Sequence, residues 1–360
     1  MEFIDESTGI RLERRGGLAT IVLDRPRALN ALTHTMVRGI ASALTAWEHD
    51  PTVHTVLLTG AGERGFCAGG DVVAIHADAV SGGSGALDFW RDEYTLNARI
   101  ARYTKPIVAL MRGLTLGGGV GLAGHARHRV VTGDSAVGMP ETIIGFVPDV
   151  GGTWLLSHAP GEVGTFLALT GTPTDAAGAI FSGLADVFVP SDRLEALVAE
   201  LAEDDGEPSA VIARFTADPG PSALAADRSW IDRCFAADRV EDILATLRSE
   251  GRVGVAETIE ARSPTALAVS LAAVRSARTL PNLEAALVQE FRVASRFLRV
   301  PDLAEGIRAQ LIDKDRAPRW NPATLADIDA EFVDTFFAPL PDDLRLPHTQ
   351  HLAGVATDPE

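Results

Sequence analysis

Apolar and polar residues alternate along the first half of the chain with two periods, one of strands and one of helices. The β-branched run Leu18–Leu23 reads as a strand that stops at Asp24-Arg25-Pro26, where proline removes a ladder donor. Between Thr33 and His49, the apolar residues Met36, Val37, Ile40, Leu44 and Trp47 fall on one helical face, with Thr33 placed to cap it. Residues 53–58 read as the next strand, 87–103 as a helix, 107–111 as a strand entering a glycine-rich turn, and 129–132 as a short apolar strand. The pattern predicts repeated β-β-α or β-α units. Beyond about Pro190 the helical period dominates. There Ser263-Pro264 joins an N-cap to a first-turn proline before an apolar-periodic segment reaching Arg278. The expected organisation is a mixed α/β core over residues 1–200, a mainly helical region over 201–346 and a tail over 347–360. The acid-rich 203–207 and small-residue 218–226 stretches are the expected linkers.

Composition narrows the function classes. An apolar content of 46% with 22% charged residues is that of a globular chain rather than a disordered or fibrous one. The 32 basic and 49 acidic side chains give a net charge of −17, which repels polyanions at long range and argues against a nucleic-acid partner. Cys67 and Cys234 stand far apart without a partner motif, so neither a disulfide framework nor a zinc site is expected, and a reducing cytoplasm is the expected compartment. The acidic start MEFIDESTGI lacks the layout of a secretion signal or transit peptide. The longest apolar stretch, 106–124, carries Arg112 and many glycines and does not read as a membrane span. The nine histidines show no metal-binding spacing.

Three segments hold candidate chemistry. GFCAGGD (65–71) and LTLGGGVGLAG (114–124) each follow a strand with small residues that bare the backbone amides. One amide from each, aimed at a single oxygen, makes an oxyanion hole; each loop alone is equally a tight turn. Gly119, Gly121 and Gly124 match a dinucleotide fingerprint, but the next strand begins too soon after them for a crossover helix. In MPETIIGFVPDVGG (139–152), Glu141 and Asp149 sit on an apolar loop, where burial prepares a carboxylate for acid-base or nucleophilic work. The plainer alternative makes Glu141 a helix cap and Asp149 a turn residue. Glu93, beside Trp90 and Tyr94, is either part of the same site or a solvated helix charge. Cys67 has no histidine partner marked in the sequence and reads as a structural thiol, and no GxSxG elbow is present.

These segments, in this order, resemble the crotonase (enoyl-CoA hydratase/isomerase) superfamily. The general pattern lies in Arg25-Pro26 with Leu29-Asn30-Ala31-Leu32, the two glycine loops and Pro140-Glu141. The run Asp92-Glu93-Tyr94 with Leu96-Asn97, the run Pro148-Asp149-Val150-Gly151-Gly152, and LIDKDRAPRW (311–320) are similar to its 3-hydroxyisobutyryl-CoA hydrolase branch. The resemblance implies a crotonase-like spiral of ββα units, with two roughly perpendicular sheets and a helical C-terminal region. It implies oxyanion amides at Gly70 and Gly118, catalytic carboxylates Glu141 and Asp149, and substrate contacts from Glu93, Gly118, Glu141 and Asp149. The implied activity is hydrolysis of a short 3-hydroxyacyl-CoA in valine catabolism, without metal or cofactor beyond the substrate's coenzyme A, in a protein that can form homo-oligomers. One departure from the hydratases is Gly121, where they carry a second glutamate; water addition needs such a pair. A hydratase or isomerase on the same fold and a non-catalytic acyl-CoA-binding protein are the alternatives.

Overall fold

The run Leu18–Leu23 has no exposed residue, as a strand covered on both faces requires. In the computed structural model, which describes residues 3–5, 8–204 and 206–346, this run lies inside a sheet. Along the chain the strands are β1 (Phe3–Asp5), β2 (Ile10–Arg15), β3 (Leu18–Leu23), β4 (Thr55–Gly60), β5 (Gly65–Cys67), β6 (Ile107–Met111), β7 (Leu114–Leu116), β8 (His128–Val131), β9 (Ala136–Gly138) and β10 (Val187–Phe188). Among the described residues they form a seven-stranded sheet, β1-β2-β3-β4-β6-β8-β10, and a three-stranded sheet, β5-β7-β9. The first three strands make an antiparallel meander, and every later pairing is parallel.

Each turn of the chain adds one strand to each sheet, as β4 then β5, β6 then β7, and β8 then β9, with helices after the first two pairs. This is the expected ββα spiral. Its consequence for chemistry is positional: the segments leaving β5, β7 and β9 must emerge at the same edge, because the three strands are parallel neighbours.

The helices between β3 and β8 are α1 (His34–Glu48), α2 (Val72–Ser81), α3 (Gly85–Arg102) and α4 (Gly118–Ala123). Thr33 caps α1 as predicted, its hydroxyl accepting from Met36 N at 3.2 Å, and Met36, Val37, Ile40, Leu44 and Trp47 face the core. The strand expected at 53–58 begins two residues later, because Val53 N bonds back to Asp50 O in a turn and the chain extends only from Thr55. The strands of the second sheet span three residues each, too short for a period to show, so the sequence reads as glycine loops there.

From Leu194 onward the chain is helical, and Ser263 caps the helix Pro264–Ala277 through Ala266 N at 3.0 Å. Of the stretch 203–207, Glu203 ends the helix Leu194–Glu203 and the next helix starts at Pro208, and the helix Ala223–Cys234, capped by Ser222, takes up much of the stretch 218–226. The expected tail, 347–360, lies outside the described residues. One buried apolar cluster reaches from Ile10 to Leu346. Among the described residues, no helix is long and apolar enough to cross a membrane, and no group of side chains is arranged to hold a metal ion.

Candidate active site

Beyond the ends of β5, β7 and β9 lie Gly69-Gly70, Gly117-Gly118 and Pro140-Glu141, which together line a cavity of about 730 Å³. The helix α3 contributes Phe89, Trp90 and Glu93 to its wall, and the C-terminal region contributes Leu303 and Ile307. The glycines are demanded by proximity. A Cβ on Gly117, whose φ is +51°, falls 2.6 Å from Glu141 Oε1, and one on Gly118 falls 2.7 Å from Glu93 Oε1 and 3.3 Å from Gly70 N.

The two loops present their amides as the sequence suggests. Leu32 N bonds to Gly69 O and Asp71 N to Leu32 O, both at 2.8 Å, so the loop behaves like a strip of strand and turns the Gly70 N–H to the other side. Gly118 N opens α4, where no helical carbonyl reaches it. Among the described residues neither amide meets an acceptor. Two unbonded donors beside one cavity are equipped to hold an oxyanion.

Three carboxylates meet these amides. Glu93 is 2% exposed, Asp149 6% and Glu141 7%, and Glu93 Oε1 and Glu141 Oε2 are buried with no hydrogen-bond partner. Burial, with the charge of Asp149 added, holds both glutamates well above the usual carboxylate range. Asp149 is pushed up to about 7 by burial, against the opposing hydrogen bond that its Oδ2 accepts from Tyr94 OH at 2.7 Å. Glu93 is therefore no solvated helix charge. Glu141 is the first residue of a short helix, Glu141–Ile144, but the cap position is Pro140 and no side chain caps it, so the helix-cap alternative is not met. Asp149 O does close a turn with Gly152 N at 2.6 Å, a local role that coexists with its place in the cavity wall.

The rival readings fail on geometry. Burial pushes the Cys67 thiol up to about 12, which leaves almost no thiolate for nucleophilic work. The helix that holds Gly119 and Gly121 has six residues, Gly124 ends it and β8 begins at His128, so no dinucleotide crossover helix follows these glycines. At Gly121 a Cβ falls 2.6 Å from Val150 Cβ and 3.0 Å from Asn97 Nδ2; the place of a second carboxylate is filled. Val150 holds it in a left-handed conformation, φ +54°, at a cost of about 1–3 kcal/mol for such a residue.

The cavity also gathers Arg25, Arg27, Arg64 and Lys314. Arg25 and Arg27 follow β3 directly, whereas Arg64 and Lys314 come from distant segments. Arg25 is occupied by Ala31 O at 2.6 Å and Asp71 at 3.2 Å. Sequence reasoning missed Glu290, whose carboxylate fastens the turn after Asp149. A signal for it existed: Leu283, Leu287, Glu290, Ala294 and Phe297 follow core spacing on one helix, and a glutamate in that series marks a buried charge.

Asp149 makes a stability prediction with a definite sign. Its carboxyl ionises near 3.8 in the unfolded chain and near 7 when folded, so the folded state holds the proton more tightly. The contribution is fully present below pH 4 and is lost as pH rises to 7. Asp149→Asn is expected to be more stable than the wild type at pH 8, with a gap about 2 kcal/mol larger than at pH 5. Urea unfolding at both pH values measures it; a gap independent of pH contradicts the assignment.

The arrangement has known counterparts. A curated relative from Danio rerio, "3-hydroxyisobutyryl-CoA hydrolase, mitochondrial", is 38% identical over 355 residues, covering 94% of this chain and 91% of the relative. The Rattus norvegicus protein of the same name is 39% identical over 353 residues, covering 93% and 90%. A crystal structure of a carnitinyl-CoA dehydratase from Mycobacterium thermoresistibile is 47% identical with a TM-score of 0.91, covering 94% of this chain and 99% of that one. These relatives correct one expectation: the vertebrate hydrolases are named mitochondrial, against the cytoplasmic compartment expected from the thiols. Two buried free thiols speak only for a reducing environment and do not distinguish one such compartment from another. The enoyl-CoA hydratase/isomerase family pattern matches residues 18–337, across both the spiral and the helical region, and with the spiral, the paired amides and these relatives it shows that the chain belongs to that family.

Proposed function

We propose that the chain hydrolyses a short 3-hydroxyacyl-CoA thioester, with 3-hydroxyisobutyryl-CoA as the substrate and valine breakdown as the setting. The observation that carries this reading is the unpartnered, buried Glu141 carboxylate beside the unbonded amides of Gly70 and Gly118. In this reading the amides take the thioester carbonyl oxygen and bind it more tightly as negative charge develops. Glu141 supplies the acyl acceptor in one of two ways. It attacks the carbonyl, expelling CoA thiolate and leaving a mixed anhydride that water cleaves, or it takes a proton from the water that attacks. Hydroxylamine trapping separates the two. Asp149, steadied by Tyr94, protonates the departing thiolate, and Glu93 receives the substrate's 3-hydroxyl. Arg27, Arg64 and Lys314 offer positive charge to the phosphates of CoA, and no further cofactor enters. Residues 1–200 carry the reacting groups, and the 201–346 region closes the cavity through Leu303, Ile307 and Lys314.

A second reading, reversible hydration, draws support from the dehydratase named among the structural relatives. Against it stands Gly121, whose surroundings leave no room for a second carboxylate. Parallel incubation with 3-hydroxyisobutyryl-CoA and crotonyl-CoA decides between them. Thiol release from the first is the expected result; loss of enoyl absorbance from the second without thiol release overturns the proposal in favour of hydration. Silence in both assays leaves a binding protein.

A further inference from the structure

Glu290 lies on the helix Leu283–Phe297, in the region beyond residue 200, and is 1% exposed. Burial pushes its carboxyl up to about 8, opposed by the hydrogen bonds it accepts from Thr153 and Gly151, and a polar group so deeply buried is retained only when partners compensate its lost hydration. All its partners lie in one turn. Its Oε2 accepts from Gly151 N at 2.6 Å, and its Oε1 accepts from Thr153 N at 2.9 Å and from the Thr153 hydroxyl at 2.5 Å.

That turn begins at Asp149. Val150 and Gly151 are consecutive left-handed residues, φ +54° and +80°, and Gly152 N closes the turn on Asp149 O at 2.6 Å, while the N–H groups on either side of it, of Gly151 and Thr153, go to Glu290. From the other side His125 Nε2 donates to Val150 O at 2.8 Å. The next residue on the Glu290 helix, Phe291, meets the Tyr94 ring edge-on at 6.2 Å, and Tyr94 OH holds Asp149 Oδ2. Two neighbouring side chains of one helix thus brace Asp149 at both ends, Glu290 through its backbone and Phe291 through its carboxylate's partner. Asp149, Glu141 and Tyr94 all lie within reach of the Glu290 charge.

We propose that Glu290 is a positioning residue: by clamping the 149–153 turn it aims Asp149 at the leaving group and keeps Val150 seated against Gly121. The inference rests on the hydrolase reading of Asp149 given above. It makes a helix of the C-terminal region part of the catalytic apparatus through a residue that does not line the cavity.

The test compares Glu290→Gln, Thr153→Val and Thr153→Ser in the full chain. A glutamine presents an NH2 group where two donors now converge, so one is left unpaired. Glu290→Gln is expected to lower kcat for 3-hydroxyisobutyryl-CoA by up to about a hundredfold, as misplacement of a reacting group does, with KM little changed. Amide hydrogen exchange at Gly151 and Thr153 should accelerate in parallel. Thr153→Val, which removes one bond and no charge, should move both readouts the same way by less, and Thr153→Ser should restore them. If Glu290→Gln does not fold, the threonine pair decides by the same criteria. Faster exchange with unaltered kcat overturns the inference alone, as does a lower kcat without faster exchange. A wild-type protein that releases no thiol overturns the hydrolase reading and this inference with it.

Discussion

Glu141→Ala is expected to reduce thiol release from 3-hydroxyisobutyryl-CoA by about a thousandfold, with little change in KM, since loss of a general base or nucleophile removes what only the transition state uses. The cavity and the Gly70 and Gly118 amides remain in such a variant, so substrate still binds. The carboxylate is unusual in its setting rather than its type. Burial and the nearby charge of Asp149 raise its ionisation well above the ordinary value, so a sizeable part of it is protonated, and idle, at the acid end of the working range. The pH-rate profile should therefore show an acid limb. Removing the Asp149 charge with Asp149→Asn eases the ionisation of Glu141 and should move that limb to lower pH, even though the variant is slower overall. Near-normal turnover by Glu141→Gln, or a limb that moves to higher pH in Asp149→Asn, contradicts the role given to this residue.

What the sequence made legible follows from which signals are local. The helix α1 with its Thr33 cap, the strand Ile107–Met111 and the Ser263-Pro264 helix start are set by residues within one or two turns of each other, and each lies where the periodicity puts it. Periodicity did not reveal the strands of the second sheet, because a three-residue strand has no period; only the family resemblance implied that sheet, which aligns the three loops of the site. The glycine loops and the Glu141 and Asp149 segment were legible as chemistry only together, since each has an ordinary turn as its local explanation, and those turns are present too. Glu290 was missed because its partners, Gly151 and Thr153, lie more than a hundred residues away in the chain, and a charged residue read locally is taken as solvated. The compartment named for the vertebrate relatives was outside what thiol usage can tell.

The 3-hydroxyl of the substrate should control turnover through Glu93. Its Oε1 is buried without a partner and lies against the same stretch of backbone as the Gly118 amide. When an acyl group fills the cavity and expels water, this carboxyl must find a hydroxyl or remain unpaired. The cost of an unpaired buried polar group is about 1–3 kcal/mol, and more for a charged one, equivalent to about a hundredfold in rate at the upper end. Isobutyryl-CoA, identical but for the hydroxyl, should therefore show kcat/KM about a hundredfold below 3-hydroxyisobutyryl-CoA on the wild-type protein. Glu93→Ala removes the group that discriminates, so the two substrates should converge to within a few-fold, chiefly because the hydroxylated one loses its advantage. The comparison isolates recognition from chemistry: Glu141 and both amides are untouched, and each variant serves as its own reference across the two substrates. Equal turnover of both by the wild type, or a hundredfold preference that survives in Glu93→Ala, removes Glu93 from substrate recognition and leaves its burial to be explained by the packing of α3 against α4 alone.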